Sequence, residues 1–110
     1  MSIRKVTSEL EAKLKSSTGG SSSGKLERKR YSDGRERLKI SLRRLDVPDD
    51  SIAVVTADTV EIARLPIRAG SGRSDEESVD SSSVPMLAAG QLIEVRVDSD
   101  LVLSGALSID

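Results

Sequence analysis

Two similar stretches of this sequence each follow the pattern of a strand, a tight turn and a second strand. Residues 52–67 read IAVVTADTVEIARLPI, and residues 93–109 read IEVRVDSDLVLSGALSI. When they are aligned on Ile52 and Ile93, the second copy has one extra residue late in its length. A single hairpin cannot bury its apolar face in water. We therefore expect the two copies to pack together and to share one core.

A third hairpin is predicted around Asp33-Gly34, because Asp-Gly between two strand-like runs is typical of a tight turn. The runs on either side are residues 25–31 and 35–45. In the second run, apolar residues alternate with cations, which predicts one buried face and one basic face. The first run has almost no apolar residues, so we expect it to lie at an edge of the sheet.

Together the three hairpins predict an all-β fold, a small antiparallel sandwich or partly open barrel of six or seven strands. Residues 70–83 are polar and acidic, and they are compatible with either a short exposed strand or a mobile loop. In residues 91–97, Leu92 and Ile93 compete for the inner face, because side chains alternate along a strand. The predicted core is Leu38, Ile40, Leu42, Ile52, Val54, Val60, Ile62, Leu65, Leu92 or Ile93, Val95, Val97, Leu101, Leu103 and Leu107.

The N-terminal part of the chain has the features of a short helix followed by a linker. Two residues with the spacing of a capping box, two leucines one helical turn apart and a glycine stop predict an amphipathic helix within residues 1–15. Residues 16–24 read SSTGGSSSG, a composition typical of a flexible linker. We therefore predict a β-sandwich domain over residues 25–110. The residues that carry the helix pattern are Ser8, Leu10, Glu11, Leu14 and Gly19.

The residue types that are missing exclude several kinds of chemistry. The chain has no His and no Cys, and Tyr31 is its single aromatic residue. It therefore has no imidazole for acid–base catalysis and no thiolate as nucleophile or metal ligand. No recognisable motif places Ser beside Lys, and nothing singles out two of the 18 acidic residues as a catalytic pair. We predict a non-enzymatic protein with no catalytic residues and no cofactor.

Charge is distributed unevenly along the chain. Residues 1–47 carry 13 cations and 6 acids, a net +7, whereas residues 48–110 carry a net −8. Such asymmetry can mark a nucleic-acid-binding surface. It also fits pairing of the basic hairpin with the acidic segment, within one molecule or between neighbours, and a plain solvated surface. The candidate basic contact surface is Arg28, Lys29, Arg30, Arg37, Lys39 and Arg43. The candidate acidic contact surface is Asp75, Glu76, Glu77 and Asp80.

The leading hypothesis is an interaction or structural module, with a protein partner or a second copy of the chain as its ligand. In this hypothesis the basic hairpin of one copy contacts the acidic segment of another, which predicts salt-sensitive self-association. A nucleic-acid-binding accessory domain that uses the basic hairpin is the first alternative. The near-absence of aromatic side chains disfavours binding of single-stranded nucleic acid by stacking.

A calcium-binding surface or adhesion module is the second alternative, because calcium takes oxygen ligands from acidic loops. The acidic tip Asp98-Ser99-Asp100 and the turn residues Asp49, Asp50 and Asp58 are its candidates, although aspartate is also common in turns. No stretch is long and apolar enough for a transmembrane helix, and the chain does not begin with a signal peptide. The default expectation is a cytoplasmic location, unless the chain is part of a longer secreted protein.

Overall fold

The computed structural model describes residues 5–78 and 87–109. Within these residues every regular element is a β-strand, and no helix is present. It follows that no helix in the described part of the chain could cross a membrane. The strands are β1 (Val6–Ser16), β2 (Ser23–Tyr31), β3 (Glu36–Arg43), β4 (Ile52–Ala57), β5 (Val60–Pro66), β6 (Gly72–Ser78), β7 (Leu92–Val97), β8 (Asp100–Ala106) and β9 (Ser108–Ile109).

All nine strands belong to one antiparallel sheet in the order β5-β4-β7-β8-β1-β2-β3-β6, and β9 also pairs with β1. The two outermost strands, β5 and β6, follow one another in the chain. The backbone N–H of Arg68 donates to the carbonyl of Ser71 over 2.9 Å in the turn between them. The sheet therefore curls until its edges meet at this turn and nearly closes into a barrel. The all-β prediction is confirmed, with more strands than the six or seven expected.

The predicted N-terminal helix is wrong, because residues Val6–Ser16 form β1. Leu10, Ala12 and Leu14 are buried, and the residues that alternate with them, Glu11 and Lys13, are more exposed. A spacing of four residues also places two leucines on the same face of a strand, so the same pattern fits both structures. β1 pairs with β2, β8 and β9, and these partners supply the hydrogen bonds and burial that a short helix lacks in water. The Gly/Ser-rich run connects β1 to β2.

The hairpin predicted around Asp33-Gly34 is present as β2 and β3, but β2 does not lie at an edge. β2 runs between β1 and β3 and pairs with both along most of its length. Its single aliphatic residue, Leu26, is fully buried. The edge prediction is wrong because the number of apolar residues in a strand reports the polarity of its outer face, not the number of its neighbours.

The other two predicted hairpins, β4–β5 and β7–β8, are also present. Their strands correspond with a displacement of 40 positions, so Ile52 matches Leu92, and both of these residues are 45% exposed. The sequence alignment on Ile52 and Ile93 was therefore displaced by one residue. A displacement of one residue exchanges the two faces of a strand. The inner residues of β4 are consequently Ala53, Val55 and Ala57.

The same error affects the predicted core. Ile52 and Val60 are exposed, and Val54, Ile62 and Leu101 are partly exposed. Of the competing pair in β7, Ile93 is buried and Leu92 is not. The interior of the barrel is aliphatic, as predicted, because the chain has almost no aromatic residues. The buried cluster is Leu10, Ala12, Leu14, Leu26, Leu38, Ile40, Leu42, Leu45, Ala53, Val55, Ala57, Leu65, Ile67, Leu87, Ile93, Val95, Val97, Leu103 and Leu107.

Candidate functional site

The outward-facing side chains of β1, β2, β3 and residues 72–75 of β6 form a surface that consists almost entirely of charged residues and serines, which we call the charged face. Because most inward positions of β1, β2 and β3 are apolar, most of their polar residues alternate onto the outer side of the barrel. The strand register sorts them into rows across the sheet. The rows are Glu9–Lys29–Arg37, Glu11–Glu27–Lys39–Asp75, Lys13–Lys25–Ser41–Arg73 and Lys15–Ser23–Arg43.

In the first two rows most cations are neutralised by carboxylates of the same face. Arg37 binds Asp75 through two N–H groups, and its Nε lies 2.7 Å from Oδ1. This hydrogen bonding holds the pKa of Asp75 below its usual range and raises the pKa of Arg37. Lys29 Nζ lies 3.8 Å from a Glu27 oxygen and 4.0 Å from Glu9. Lys39, the remaining cation of these rows, has no carboxylate within 4.0 Å among the described side chains, but it lies opposite Asp75 in the ladder. With four carboxylates and three cations, the two rows present little net charge.

Lys25 stands at the border between the two halves of the charged face. Its Nζ lies 3.2 Å from Glu27 and 3.6 Å from Glu11, both in the neighbouring row. The hydrogen bond to Glu27 is the main reason that the pKa of Lys25 is raised. Lys25 is therefore a cation of the basic half that is already paired with carboxylates.

The last two rows carry cations that have no such partner. Among the side chains that the structure describes, which do not include those of residues 76–78, no carboxylate oxygen lies within 4.0 Å of the charged groups of Lys13, Lys15, Arg43 or Arg73. All four side chains are exposed. Together with Lys25 they form the basic patch. Ser41 lies among them and lines a shallow depression of about 280 Å³, together with four cations and one carboxylate. These are Lys25, Lys39, Arg43, Arg73 and Glu27.

The six residues of the candidate basic surface are not all on this face. Arg28 is buried, because its position in β2 alternates with the outward ones, and its Nη1 lies 3.7 Å from Glu36 Oε1. Burial lowers the pKa of Arg28. The Nε of Arg30 donates to the same Glu36 oxygen over 2.7 Å. Arg28 and Arg30 thus neutralise a buried carboxylate at the turn end of the hairpin, while Lys29, Arg37, Lys39 and Arg43 belong to the charged face.

The candidate acidic surface lies against the basic hairpin of the same chain. Asp75 is bonded to Arg37, and the backbones of Glu76 and Glu77 pair with Leu38 and Arg37 in the β3–β6 ladder. Asp80 lies outside the described residues. The described part of the acidic segment is thus the strand that flanks β3, and its Asp75 is paired with a cation of the same chain.

Four residues of the basic patch were missed by the sequence analysis, and the signals for them were present. Lys13 and Lys15 have the alternation of a strand, but the leucine spacing was interpreted as a helix. Lys25 was assigned to the hairpin without being chosen as a contact residue. Arg73 lies in a segment for which strand and loop were left open, and only its pairing with Ser41 brings it to this face.

The aspartates proposed as calcium ligands serve mainly as turn residues. Asp58 and Asp98 begin the tight turns of the two similar hairpins, with φ of 46° and 51°. The carboxylate of Asp58 accepts the backbone N–H of Leu92 over 2.9 Å. In the described ranges, no three side chains of metal-binding types come together. Calcium binding has no support from this geometry.

Comparison with known proteins adds no relative from which a function could be transferred. No protein-family model matches the chain, and no curated protein is significantly similar to it. The basic patch and its surroundings are therefore the features of the molecule that bear on its function.

Proposed function

We propose that this protein is a non-enzymatic interaction module that contacts a polyanionic partner through the basic patch. The observation that carries the proposal is the contrast within one face. Arg37 and Lys29 are neutralised by neighbouring carboxylates, whereas Lys13, Lys15, Arg43 and Arg73 have none within 4.0 Å among the described side chains. The depressions on this face are shallow and open, which suits surface contact better than catalysis.

The arrangement has an energetic cost that supports a role in binding. Lys13 lies directly opposite Lys25 across the β1–β2 ladder, and like charges at opposed positions destabilise a sheet. The ion pairs of Lys25 with Glu11 and Glu27 offset part of this repulsion. The chain could relieve this repulsion with one acidic substitution, as it does with Glu9 opposite Lys29 in the first row. An anionic partner would remove this repulsion when it binds. The free energy of repulsion in the unbound protein would then contribute to the free energy of binding.

The proposal is tested by measuring binding to three polyanions at low ionic strength: duplex DNA, heparin and poly-glutamate. We expect at least one of them to bind with an affinity that falls steeply as salt is added, because exposed charges are screened. The double variant Lys15→Ser/Arg43→Ser should weaken that binding more than tenfold. Each lost contact of about 1 kcal/mol corresponds to roughly a fivefold change.

A matched control removes the same charge elsewhere on the barrel. Arg64 in β5 and Arg96 in β7 both pair with Val54 of β4, on strands outside the charged face, and each has an acidic neighbour. The variant Arg64→Ser/Arg96→Ser should bind as the unmodified protein does. Equal losses in the two double variants would show that only net charge matters, and absence of binding to all three polyanions would end the proposal.

Self-association remains a second candidate, supported by the opposite charges of the two halves of the chain. The basic hairpin and the acidic segment already pair within one molecule through Arg37 and Asp75. A contact between copies would therefore join the basic patch to other carboxylates, such as those of the acidic turns. Sedimentation at low and high salt tests this candidate, which predicts an assembly that dissociates as salt increases.

A further inference from the structure

Resting on the proposed function, we infer that the partner is a double-stranded nucleic acid held by its phosphate backbone. One phosphate would lie over Ser41, between Lys25, Arg43 and Arg73.

The position of Ser41 in the sheet makes it the centre of the basic patch. It pairs with Lys25 on one side and with Arg73 on the other, so that each neighbour is about 5 Å away between Cβ atoms. Arg43 follows two residues later on the same strand, about 7 Å along the same face. Three cations therefore surround one hydroxyl, and the Ser41 Oγ has no hydrogen-bond partner among the described residues.

This arrangement suits phosphate better than carboxylate. The charged face already shows how it binds a carboxylate, because one guanidinium, Arg37, satisfies both oxygens of Asp75. Three cations and a hydroxyl offer more donors than a single carboxylate accepts, and they approach from several directions. A phosphate group has more oxygens to receive them, and Arg, Lys and Ser are the side chains that commonly contact phosphates in nucleic-acid complexes.

The same face lacks the features that other partners need. Single-stranded nucleic acid is bound through stacking on aromatic side chains, and the single aromatic of the chain, Tyr31, is buried. A protein interface is usually anchored by buried aromatic or apolar residues, whereas the basic patch consists only of Lys and Arg. The major groove admits a projecting helix or a two-stranded ribbon, whereas the basic patch lies on a sheet four strands wide. Of the modes of binding considered, the charged face therefore suits contact with the phosphate backbone on the outside of a duplex, independent of the base sequence.

The size of the patch gives a quantitative expectation. From Lys13 to Arg73 it crosses four strands, a distance of about 14 Å. One strand of duplex DNA carries a phosphate for every ~3.4 Å of helix axis, so about four phosphates would face the patch. Each phosphate that is neutralised contributes about −0.9 to the slope of log K against log salt, which predicts a slope of roughly −4.

The test measures fluorescence anisotropy of a labelled duplex DNA, one of its single strands and labelled poly-glutamate over a series of salt concentrations. We expect the duplex to bind most tightly, with little dependence on its sequence and with the slope given above. Ser41→Ala should weaken duplex binding about threefold to tenfold, the range expected for one hydrogen bond. Ser51→Ala, at a half-buried serine beside β4, is the matched control and should have no effect.

A second pair of variants keeps the test independent of Ser41. Arg73→Gln should weaken duplex binding and reduce the magnitude of the salt slope by about one, whereas Arg64→Gln should change neither. Circular dichroism of each variant establishes that the sheet is intact. Because all four side chains lie outside the buried cluster, we expect every variant to fold.

The outcomes separate this inference from the function on which it rests. Poly-glutamate that binds as tightly as DNA, with no effect of Ser41→Ala, would overturn the inference and leave an acidic protein as the partner. Tighter binding of the single strand would overturn the duplex assignment. Absence of binding to every polyanion would overturn the proposed function as well.

Discussion

The two similar hairpins, β4–β5 and β7–β8, differ in a way that shows what a strand's neighbours demand of its sequence. Their central strands pair with each other, and Val55 lies opposite its own counterpart, Val95. Both hairpins have an irregularity in pairing immediately after these two residues. Both also close with two residues of positive φ. The backbones thus follow the same course through the two units.

The outer strands of the two hairpins have different neighbours. β5 ends the sheet, whereas β8 pairs with β1. At equivalent positions β5 has Leu65 where β8 has Gly105, because a Cβ on Gly105 would lie 2.3 Å from the carbonyl oxygen of Lys13 in β1. One position further on, β5 has Pro66, which lacks a donor for a ladder and is suited to an edge. Similar local sequences form the two hairpins. The presence or absence of a further neighbouring strand, here β1, determines which side chains the outer strand of each hairpin can carry.

The largest effect is expected from the residue that fills the core on the β8 side. Leu103 is fully buried, and its counterpart in β5 is Ala63, so Leu103→Ala makes the two hairpins alike at this position. The substitution should lower the free energy of unfolding by about 2–5 kcal/mol, because it leaves a cavity. Urea denaturation measures the loss. Leu101→Ala, at a half-buried position of the same strand, should cost clearly less, and equal costs would contradict the assigned faces.

A smaller effect is expected at the close approach of β8 to β1. Gly105→Ala should destabilise the fold by about 1–3 kcal/mol, since the new Cβ meets a backbone oxygen that cannot move without disturbing the ladder. Gly20→Ala serves as control, because its Cβ would have only ordinary contacts at 3.5 Å. Thermal unfolding of the two variants compares them. A neutral Gly105→Ala would mean that β1 does not pass β8 as described.

The smallest effect concerns the turns, where the two hairpins are most alike. Asp58 and Asp98 have similar positive φ values, but Asp58 also accepts the N–H of Leu92. Alanine at either position incurs the same backbone strain, but only Asp58→Ala also removes a hydrogen bond. Asp58→Ala should therefore lower the free energy of unfolding by about 1 kcal/mol more than Asp98→Ala does. Chemical denaturation of both variants gives the difference. Identical losses would show that this hydrogen bond is not formed in solution.

The charged face was predictable in its composition but not in its location. Alternation in β3 correctly indicated that Lys39 and Arg43 face outwards. It could not reveal that Arg28 is buried against Glu36, because β2 has too few apolar residues to define its faces from the sequence. Nor could it bring Arg73 beside Ser41, because that contact joins strands whose positions are separated by the entire β4–β5 hairpin.

Local features of the sequence determined the three hairpins, the absence of imidazole and thiol chemistry, and the aliphatic character of the core, because each depends on residues close together in the chain or on composition alone. Only the tertiary structure decided that residues Val6–Ser16 form a strand, which faces of β4 and β7 are buried, and which cations have no acidic partner. A leucine spacing of four fits a helix and a strand equally well, and a one-residue shift in register exchanges the faces of a strand. Long-range pairing resolves both ambiguities, because it fixes which backbone groups are hydrogen-bonded and which side chains leave water.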